Sequence, residues 1–409
     1  MHAWTEEHQA VRQALRRFVK ERLAPLTDKM ETGEVLPYPL MRELIETFGI
    51  AALVEPRFEK IRERLARGED PDSAPREGKQ GGFWDPTYGA LLALEICREN
   101  PGFMLAVGAS TGLAGGAIMG RGTDRQKLDY GRPILTGEKI GAWGMTEPGA
   151  GSDAFGSMRT TARPDGQGGY VLNGEKCFIT NAPYCDVAVI YAKIDDGSGT
   201  PLRERPFQAF IVENGAPGFT RSAPLRKMGM HSSPTGSLFL SDVHVPAAQL
   251  LGGRPSDSAR QQGKDVFASE RTSMLPMCLG IIERCLEDSI AYAKQRETWG
   301  RPIGEYQLVQ EKIARMFVAQ TNVENLLFRD LHRVANKIPY TEADASVCKL
   351  YAARVATEVA LEAVQIMGGN GYMQEYGVER LMRDAKLLQI GGGTDEIQIS
   401  RIARDLLGR

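Results

Sequence analysis

The chain is short of net charge, of metal-holding clusters and of long apolar runs. Lys and Arg total 50 against 52 Asp and Glu, a formal charge of −2. That near-balance gives no broad basic field for nucleic acid or an anionic membrane, so no nucleic-acid partner is expected. Any anionic ligand must instead be met by locally placed donors. The five His residues are scattered, and Cys97, Cys177, Cys185, Cys278, Cys285 and Cys348 form no C-x-x-C pair and have no His at zinc spacing. The expectation is therefore no metal, and buried reduced thiols in place of a disulfide frame. No apolar stretch reads as long enough for a membrane span, which needs ~20 residues. The basic residues near the N-terminus are interrupted by Glu6, Glu7 and Glu21. That pattern reads as an amphipathic helix and not a transit peptide, so a cytoplasmic location is the default.

What is present is the mix of a globular protein, 42% hydrophobic and 25% charged, at a length of 409 residues that calls for two or three packed units. Helical spacing runs from Thr5, a candidate N-cap, to about Thr27, with Pro25 marking the end, and again over Pro39–Val54. Residues 55–86 are too polar for core and read as a loop or insertion, with at most a short helix near Phe58–Leu65. Helical pattern returns over 87–98, 103–119 and 124–135. From Gly141 to Leu251 the texture is that of strands, with Asn173-Gly174 as a hairpin signal. There is no β-helix-β alternation, so a small antiparallel β domain is expected. After Gly263 three apolar stripes follow: Met274 to Ile290, Leu308 to Leu331, and Val347, Leu350, Val355, Val359 and Val364. The reading is an α+β multidomain protein, with an N-terminal helical domain (1–138), a middle antiparallel β domain (139–255) and a C-terminal four-helix bundle (256–409).

One segment is dense in chemistry: Met145-Thr146-Glu147-Pro148-Gly149-Ala150-Gly151-Ser152-Asp153. A Rossmann fingerprint would need a strand before it and a helix after it, and this run continues into turn-rich, strand-like sequence. Its glycines would bare backbone N–H donors beside two hydroxyls, which suits a flavin edge or a pyrophosphate.

These residues, with Asn173-Gly174-Glu175-Lys176-Cys177-Phe178-Ile179-Thr180-Asn181, resemble the middle domain of acyl-CoA dehydrogenases. The resemblance resumes at Arg296-Glu297-Thr298-Trp299-Gly300-Arg301-Pro302-Ile303, at Gln365-Ile366-Met367-Gly368-Gly369-Asn370-Gly371-Tyr372 and at Leu381-Met382-Arg383-Asp384-Ala385-Lys386. It implies FAD as cofactor, with Trp143, Met145, Thr146, Gly151, Ser152, Phe178, Ile179 and Thr180 along the flavin and Ser152 also touching substrate. It further implies that Arg296, Trp299, Gln307, Gln365, Ile366, Gly368 and Gly369 reach the FAD of a neighbouring subunit in a homotetramer, with Thr394 and Glu396 near the adenosine half. A guanidinium fork such as that of Arg296 matches a pyrophosphate bidentately.

Much of the family carries its catalytic Glu in a Tyr-Glu-Gly-Thr sequence near the C-terminus, where this chain reads Gly391-Gly392-Gly393-Thr394. Isovaleryl-CoA and long-chain acyl-CoA dehydrogenases place it earlier, in a Glu-Arg pair that Glu270-Arg271 resembles. Glu270 is thus expected to be the base. Gly392 is expected to supply a backbone N–H to the thioester oxygen, with Arg271 and Gly391 beside the substrate. The implied reaction is α,β-desaturation of an acyl-CoA thioester, its electrons passed to electron-transfer flavoprotein. An acyl-CoA oxidase, an acyl-carrier-protein thioester dehydrogenase and a non-catalytic thioester-binding flavoprotein stay open. Loss of the Tyr-Glu side chains is expected to free volume beside the thioester. The 55–86 segment is longer than the family's loop after the second helix.

Overall fold

The computed structural model describes residues 3–69, 86–255 and 259–408, with backbone alone over 259–269. Residues 70–85 of the polar 55–86 segment, including Gly81-Gly82-Phe83-Trp84, lie outside the described residues.

Helix α1 (Glu6–Phe18) starts at a capping box, in which the Thr5 hydroxyl accepts from the His8 N–H and the His8 ring accepts from the Thr5 N–H. Pro25 does not end it. A π-turn over Val19–Leu23 carries the chain into α2 (Ala24–Glu31), and the wider turn accommodates a ring that has no N–H to give. Helix α3 (Tyr38–Thr47) is followed by α4 (Ile50–Ala66), which contains the short helix read near Phe58–Leu65 and corrects the loop reading of the residues around it. Its polar face is solvated, while Val54, Phe58 and Ile61 sit at helical spacing and are buried against Met119 and Leu135. Helix α5 (Pro86–Cys97) is apolar on nearly every side and runs through the middle of the packing. It is followed by α6 (Pro101–Val107), a π-turn and α7 (Gly116–Arg121). This 101–121 run is long and apolar enough to cross a membrane by length and composition, contrary to the sequence reading. Some 61% of its window is packed inside the protein, as in a core helix.

The middle of the chain forms a seven-stranded sheet in the path β1 (Gly141–Gly144), β4 (Val187–Ile194), β2 (Thr161–Pro164), β3 (Tyr170–Thr180), β7 (Thr235–Val245) and β6 (Phe219–Arg221), with β5 (Phe207–Glu213) also pairing β4. The sheet is mixed, not purely antiparallel: β4 runs parallel to both β1 and β2. Short strands separated by turns gave no clue to this, because the long-range partner decides direction. Asn173-Gly174 is no hairpin turn either. Both residues lie inside β3 at a bulge, where Gly174 has φ +150° and any β-carbon would meet Thr160. The turn falls earlier, where Asp165 accepts the Gln167 and Gly169 N–H groups.

The C-terminal bundle holds α8 (Ala259–Gln295), α9 (Gln307–Ala335), α10 (Glu342–Met367), α11 (Val378–Leu388) and α12 (Asp395–Leu406). The α8 stripe is buried as its spacing implies. On α9, Leu308 and Phe317 are exposed. On α10 the buried face is not the valine stripe but Ala345, Cys348, Lys349, Ala352, Ala353, Ala356, Ala360 and Ala363. Small side chains there let α8 and α10 approach closely. Arg12 ties the N-terminal helices to the bundle, donating to Glu95 at 2.6 Å and to Glu283 at 2.8 Å with all three side chains buried.

Candidate active site

Glu270 projects from α8 toward the turn that joins α11 to α12. The residue as a whole is partly exposed, yet its Oε2 is sealed from solvent and has no hydrogen-bond partner among the described residues. Burial pushes its carboxyl up to about 7, against the opposing pull of Arg271 and Lys349.

The facing turn holds Gly391, Gly392 and Gly393. It closes through Gly391 N–H to Leu387 O at 2.8 Å and Asp395 N–H to Gln389 O at 3.1 Å. Gln398 donates to the carbonyls of Gly392 and Gly393, at 3.2 and 2.9 Å. Gly392 has φ +63°, a backbone that disfavours any side chain. Its N–H donates to nothing among the described residues, so it is free to meet an oxygen. A β-carbon at 392 would stand 3.6 Å from the Glu270 carboxyl carbon and 2.6 Å from the Met274 methyl. Residue 392 and the Glu270 carboxyl therefore border the same spot. The same contact corrects the expectation of added pocket volume at residue 392, because Met274, one turn along α8, fills that space.

Arg271, the next residue on α8, is turned about 100° round the helix from Glu270. It is buried, its Nη1 is unpartnered among the described residues, and burial together with Arg401 pulls the guanidinium down to about 10. Glu342 and Glu270 pull the other way. Lys349 on α10, which sequence spacing had not singled out, also acts on the Glu270 carboxyl. Its fully buried ammonium stands 3.7 Å from Asp395 Oδ1.

The second group of residues lies on the sheet. Glu147 accepts from the Arg159 N–H at 2.6 Å, the Thr160 N–H at 3.0 Å and the Lys176 ammonium at 2.8 Å. Burial alone would raise the Glu147 carboxyl, but Lys176 and the two amides outweigh it and hold it below the usual range. Burial pulls Lys176 down to about 8 against the attraction of Glu147. This pair fixes the 147–150 turn, whose Gly149 and Gly151 open outward with nothing near a β-carbon position. Ser152 is exposed beside them and Thr146 is half-buried.

Trp143, Met145 and Ile179 are buried, so only their backbones are placed to meet a ligand on this face. Phe178 is the opposite case. Its φ is +56° and its ring is 71% exposed, although it sits in a strand between buried neighbours. A bulky residue in the left-handed region is strained by roughly 1–3 kcal/mol, which marks a place held for function. An exposed ring on the strand that carries Thr180, one residue from the Cys177 N–H that donates to Thr146 O at 2.9 Å, fits an isoalloxazine. Asn181 anchors this strand end, accepting from Tyr38 Oη at 3.2 Å and donating to Ala106 O at 2.9 Å.

The third group sits at the other end of the bundle. Arg296 and Trp299 follow the end of α8, Gln307 starts α9, and Gln365, Ile366, Gly368 and Gly369 close α10. Asn370 Nδ2 donates to Tyr292 Oη at 3.1 Å, joining the two helix ends. All are exposed except Ile366, whose side chain is buried, and Trp299 is 92% exposed. The 25 helical steps from Glu270 to the end of α8 at Gln295 span about 38 Å. Arg296 therefore lies far from the Glu270 of its own chain. Thr394 and Glu396 open α12 beside Gly391 and Gly392, with the Thr394 hydroxyl capping the helix at Ile397 N–H. Among the described residues no group of His, Cys, Asp or Glu is arranged to hold a metal.

Residues 142–243 match the acyl-CoA dehydrogenase middle domain, and residues 261–407 match the acyl-CoA dehydrogenase C-terminal domain. The chain is 36% identical over 408 residues to a probable acyl-CoA dehydrogenase of Bacillus subtilis, with 98% of each covered. It is 37% identical over 328 residues to a mitochondrial isovaleryl-CoA dehydrogenase of Oryza sativa, covering 78% of this chain and 76% of that one. Among solved structures, butyryl-CoA dehydrogenase of Megasphaera elsdenii matches with a TM-score of 0.84, 33% identity and 99% of both chains covered. The chain therefore belongs to the acyl-CoA dehydrogenase family of FAD-dependent oxidoreductases.

Proposed function

We propose that this enzyme desaturates an acyl-CoA thioester, with Glu270 removing the α-proton. The observation that carries this reading is the sealed Oε2 of Glu270, unpartnered among the described residues, beside the place where much of the family is expected to hold its base. Bound FAD supplies the acceptor for the β-hydrogen, which leaves as hydride while the α-proton goes to Glu270. Two electrons and one proton thus leave with the hydride, one proton stays on the carboxylate, and a carbon–carbon double bond forms.

A free Glu is a weak base for a thioester α-proton. Lifting its carboxyl from 4.5 to about 7 adds roughly 3 kcal/mol to its proton affinity. The unengaged Gly392 N–H, aimed at the thioester oxygen, stabilises the charge that develops there, by about 3 kcal/mol for a well-placed donor. The Glu147–Lys176 pair holds the flavin-facing turn, and Phe178 packs on the ring. Because Arg296 lies about 38 Å along α8 from Glu270, the cofactor contacts at the far end of the bundle come from another copy, in a tetramer. The exposed Trp299, Leu308 and Phe317 beside them support that assembly. Electrons then pass to an electron-transfer flavoprotein.

The test is anaerobic titration of the FAD-loaded protein with a library of acyl thioesters, read by loss of flavin colour, for the parent chain and Glu270→Gln. The parent should bleach and the variant should stay yellow. Normal bleaching of Glu270→Gln would remove the assignment, and peroxide formed rapidly in air would redirect the electrons to oxygen.

A further inference from the structure

Lys349 is a lysine in a seam of alanines. On α10 the buried residues around it are Ala345, Cys348, Ala352, Ala353 and Ala356. The side chain has no solvent exposure, and its Nζ has no hydrogen-bond partner among the described residues. An ammonium taken out of water with its donors unmet is a costly choice where an alanine or methionine would pack as well. The charges around it say what it serves. Asp395 Oδ1, itself without a hydrogen-bond partner, is 3.7 Å away at the first residue of α12. The other Asp395 oxygen is taken by Arg354 Nε at 2.9 Å. The remaining groups that act on Lys349 are Cys278 and Glu270, both from α8. Burial keeps the Cys278 thiol neutral by pushing it up to about 12, so Glu270 is the one ionisable partner on that side at neutral pH. Arg271, whose pull on Glu270 is larger than that of Lys349, and the exposed Glu396, which feels Lys349 from the surface, complete the set.

Glu270 Oε2, Lys349 Nζ and Asp395 Oδ1 are thus all buried without a hydrogen bond among the described residues, and Lys349 is ion-paired with Asp395 at the head of α12. We propose that Lys349 is a positioning residue for proton removal, its buried ammonium holding Glu270 as a carboxylate and anchoring the glycine turn through Asp395. The arrangement resolves a conflict in the site. A base enclosed by apolar surroundings gains proton affinity, but enclosure alone would leave it protonated and idle near neutral pH. A buried cation that makes no ion pair with it pulls the other way and offsets part of the rise that enclosure causes. The inference rests on the reading of Glu270 as the base.

The experiment measures kcat/KM against pH for the FAD-loaded parent, Lys349→Met, Lys349→Arg and Asp395→Asn, with Glu270→Gln as control. Removing the ammonium should move the acid limb of Lys349→Met up by about one pH unit, roughly a tenfold loss at pH values below the limb. Lys349→Arg should leave the limb near its parental position. Asp395→Asn strips the ammonium of its counter-charge and should move the limb down. Opposite shifts of Lys349→Met and Asp395→Asn are the signature, since a purely structural role would lower rates in both without moving the limb. An unmoved limb, or shifts in one direction, overturns the proposal. If Lys349→Met does not fold, a limb in Asp395→Asn that stays put or rises does the same. Full turnover by Glu270→Gln would instead sink the base assignment, and so separates the two failures.

Discussion

The carboxyl carbon of Glu270 lies 3.6 Å from the point where a β-carbon on residue 392 would stand. Two positions 122 residues apart in the chain thus reach the same spot, one from the α8 helix and one from the turn before α12. The carboxylate proposed as the base thus reaches, from α8, the space beside residue 392.

That relationship makes the base transferable. Gly392→Glu in a Glu270→Gly background should recover part of the desaturation that Glu270→Gly loses. It should still fall short of the parent by about ten- to a hundredfold, because a side chain at φ +63° is strained by roughly 1–2 kcal/mol and the Met274 methyl must move aside. Adding Met274→Ala should raise the rate further. Stopped-flow flavin bleaching measures each step, and a double variant no faster than Glu270→Gly would show that the two positions are not equivalent.

The raised carboxyl of Glu270 also sets a stability difference with a definite sign. Its ordinary value is 4.5 and its folded value about 7, so its favourable contribution is complete below about 4.5 and is lost as pH rises through about 7. At pH 8 the folded chain carries a buried charge that Glu270→Gln does not. The variant should be more stable there by up to roughly 3 kcal/mol, with the gain gone near pH 4. Thermal unfolding at the two pH values, each with excess FAD, decides the matter. An equal gain at both, or none at pH 8, would mean that the carboxylate is not buried as the structure has it.

The legible part of this protein was whatever its local sequence decides. The turn 145–153 and the Phe178-Ile179-Thr180 strand end carry their chemistry in adjacent residues. Glu270 came forward as the proposed base because Gly392 has no side chain to hold a proton. The parts that escaped are those set by a distant partner. The buried face of α10 is made of alanines, which a search for large apolar residues passes over in favour of valines that turn out only half-buried or exposed, save Val359. Lys349 hid in that face because a lysine ordinarily marks the solvent side. Helix α4 escaped for the converse reason, since Phe58 and Ile61 are a thin apolar line among charges. Asn173-Gly174 has the composition of a turn, yet the pairing of β3 with both β2 and β7 keeps it in a strand.

The Lys176–Glu147 pair should tie stability to flavin retention. Lys176→Met leaves a buried carboxylate with only its two backbone donors, a loss of about 3–5 kcal/mol by the usual measure of a broken buried pair. The double variant Glu147→Gln with Lys176→Met should cost less than the sum of the singles, because no charge is stranded. Denaturant midpoints measure stability, and the flavin that survives gel filtration measures the turn. Wild-type midpoints with flavin lost would assign the pair to the cofactor alone.

The distance between Glu270 and Arg296 makes subunit exchange a sharp test of the shared site. Glu270→Gln chains keep an intact Arg296, and Arg296→Ala chains keep an intact Glu270. If each centre draws its base from one copy and Arg296 from another, a co-assembled mixture contains centres with both. With equal amounts and random pairing, half the centres have the base and half of those meet an intact Arg296, so activity should reach about a quarter of the parent's. If both residues served a centre within one chain, every centre in the mixture would lack one of them, and the mixture would do no better than its two components assayed apart. Co-expression with two affinity tags, so that only mixed assemblies are purified, followed by the thioester bleaching assay, separates the outcomes, because geometry alone determines whether two crippled chains can make one working centre.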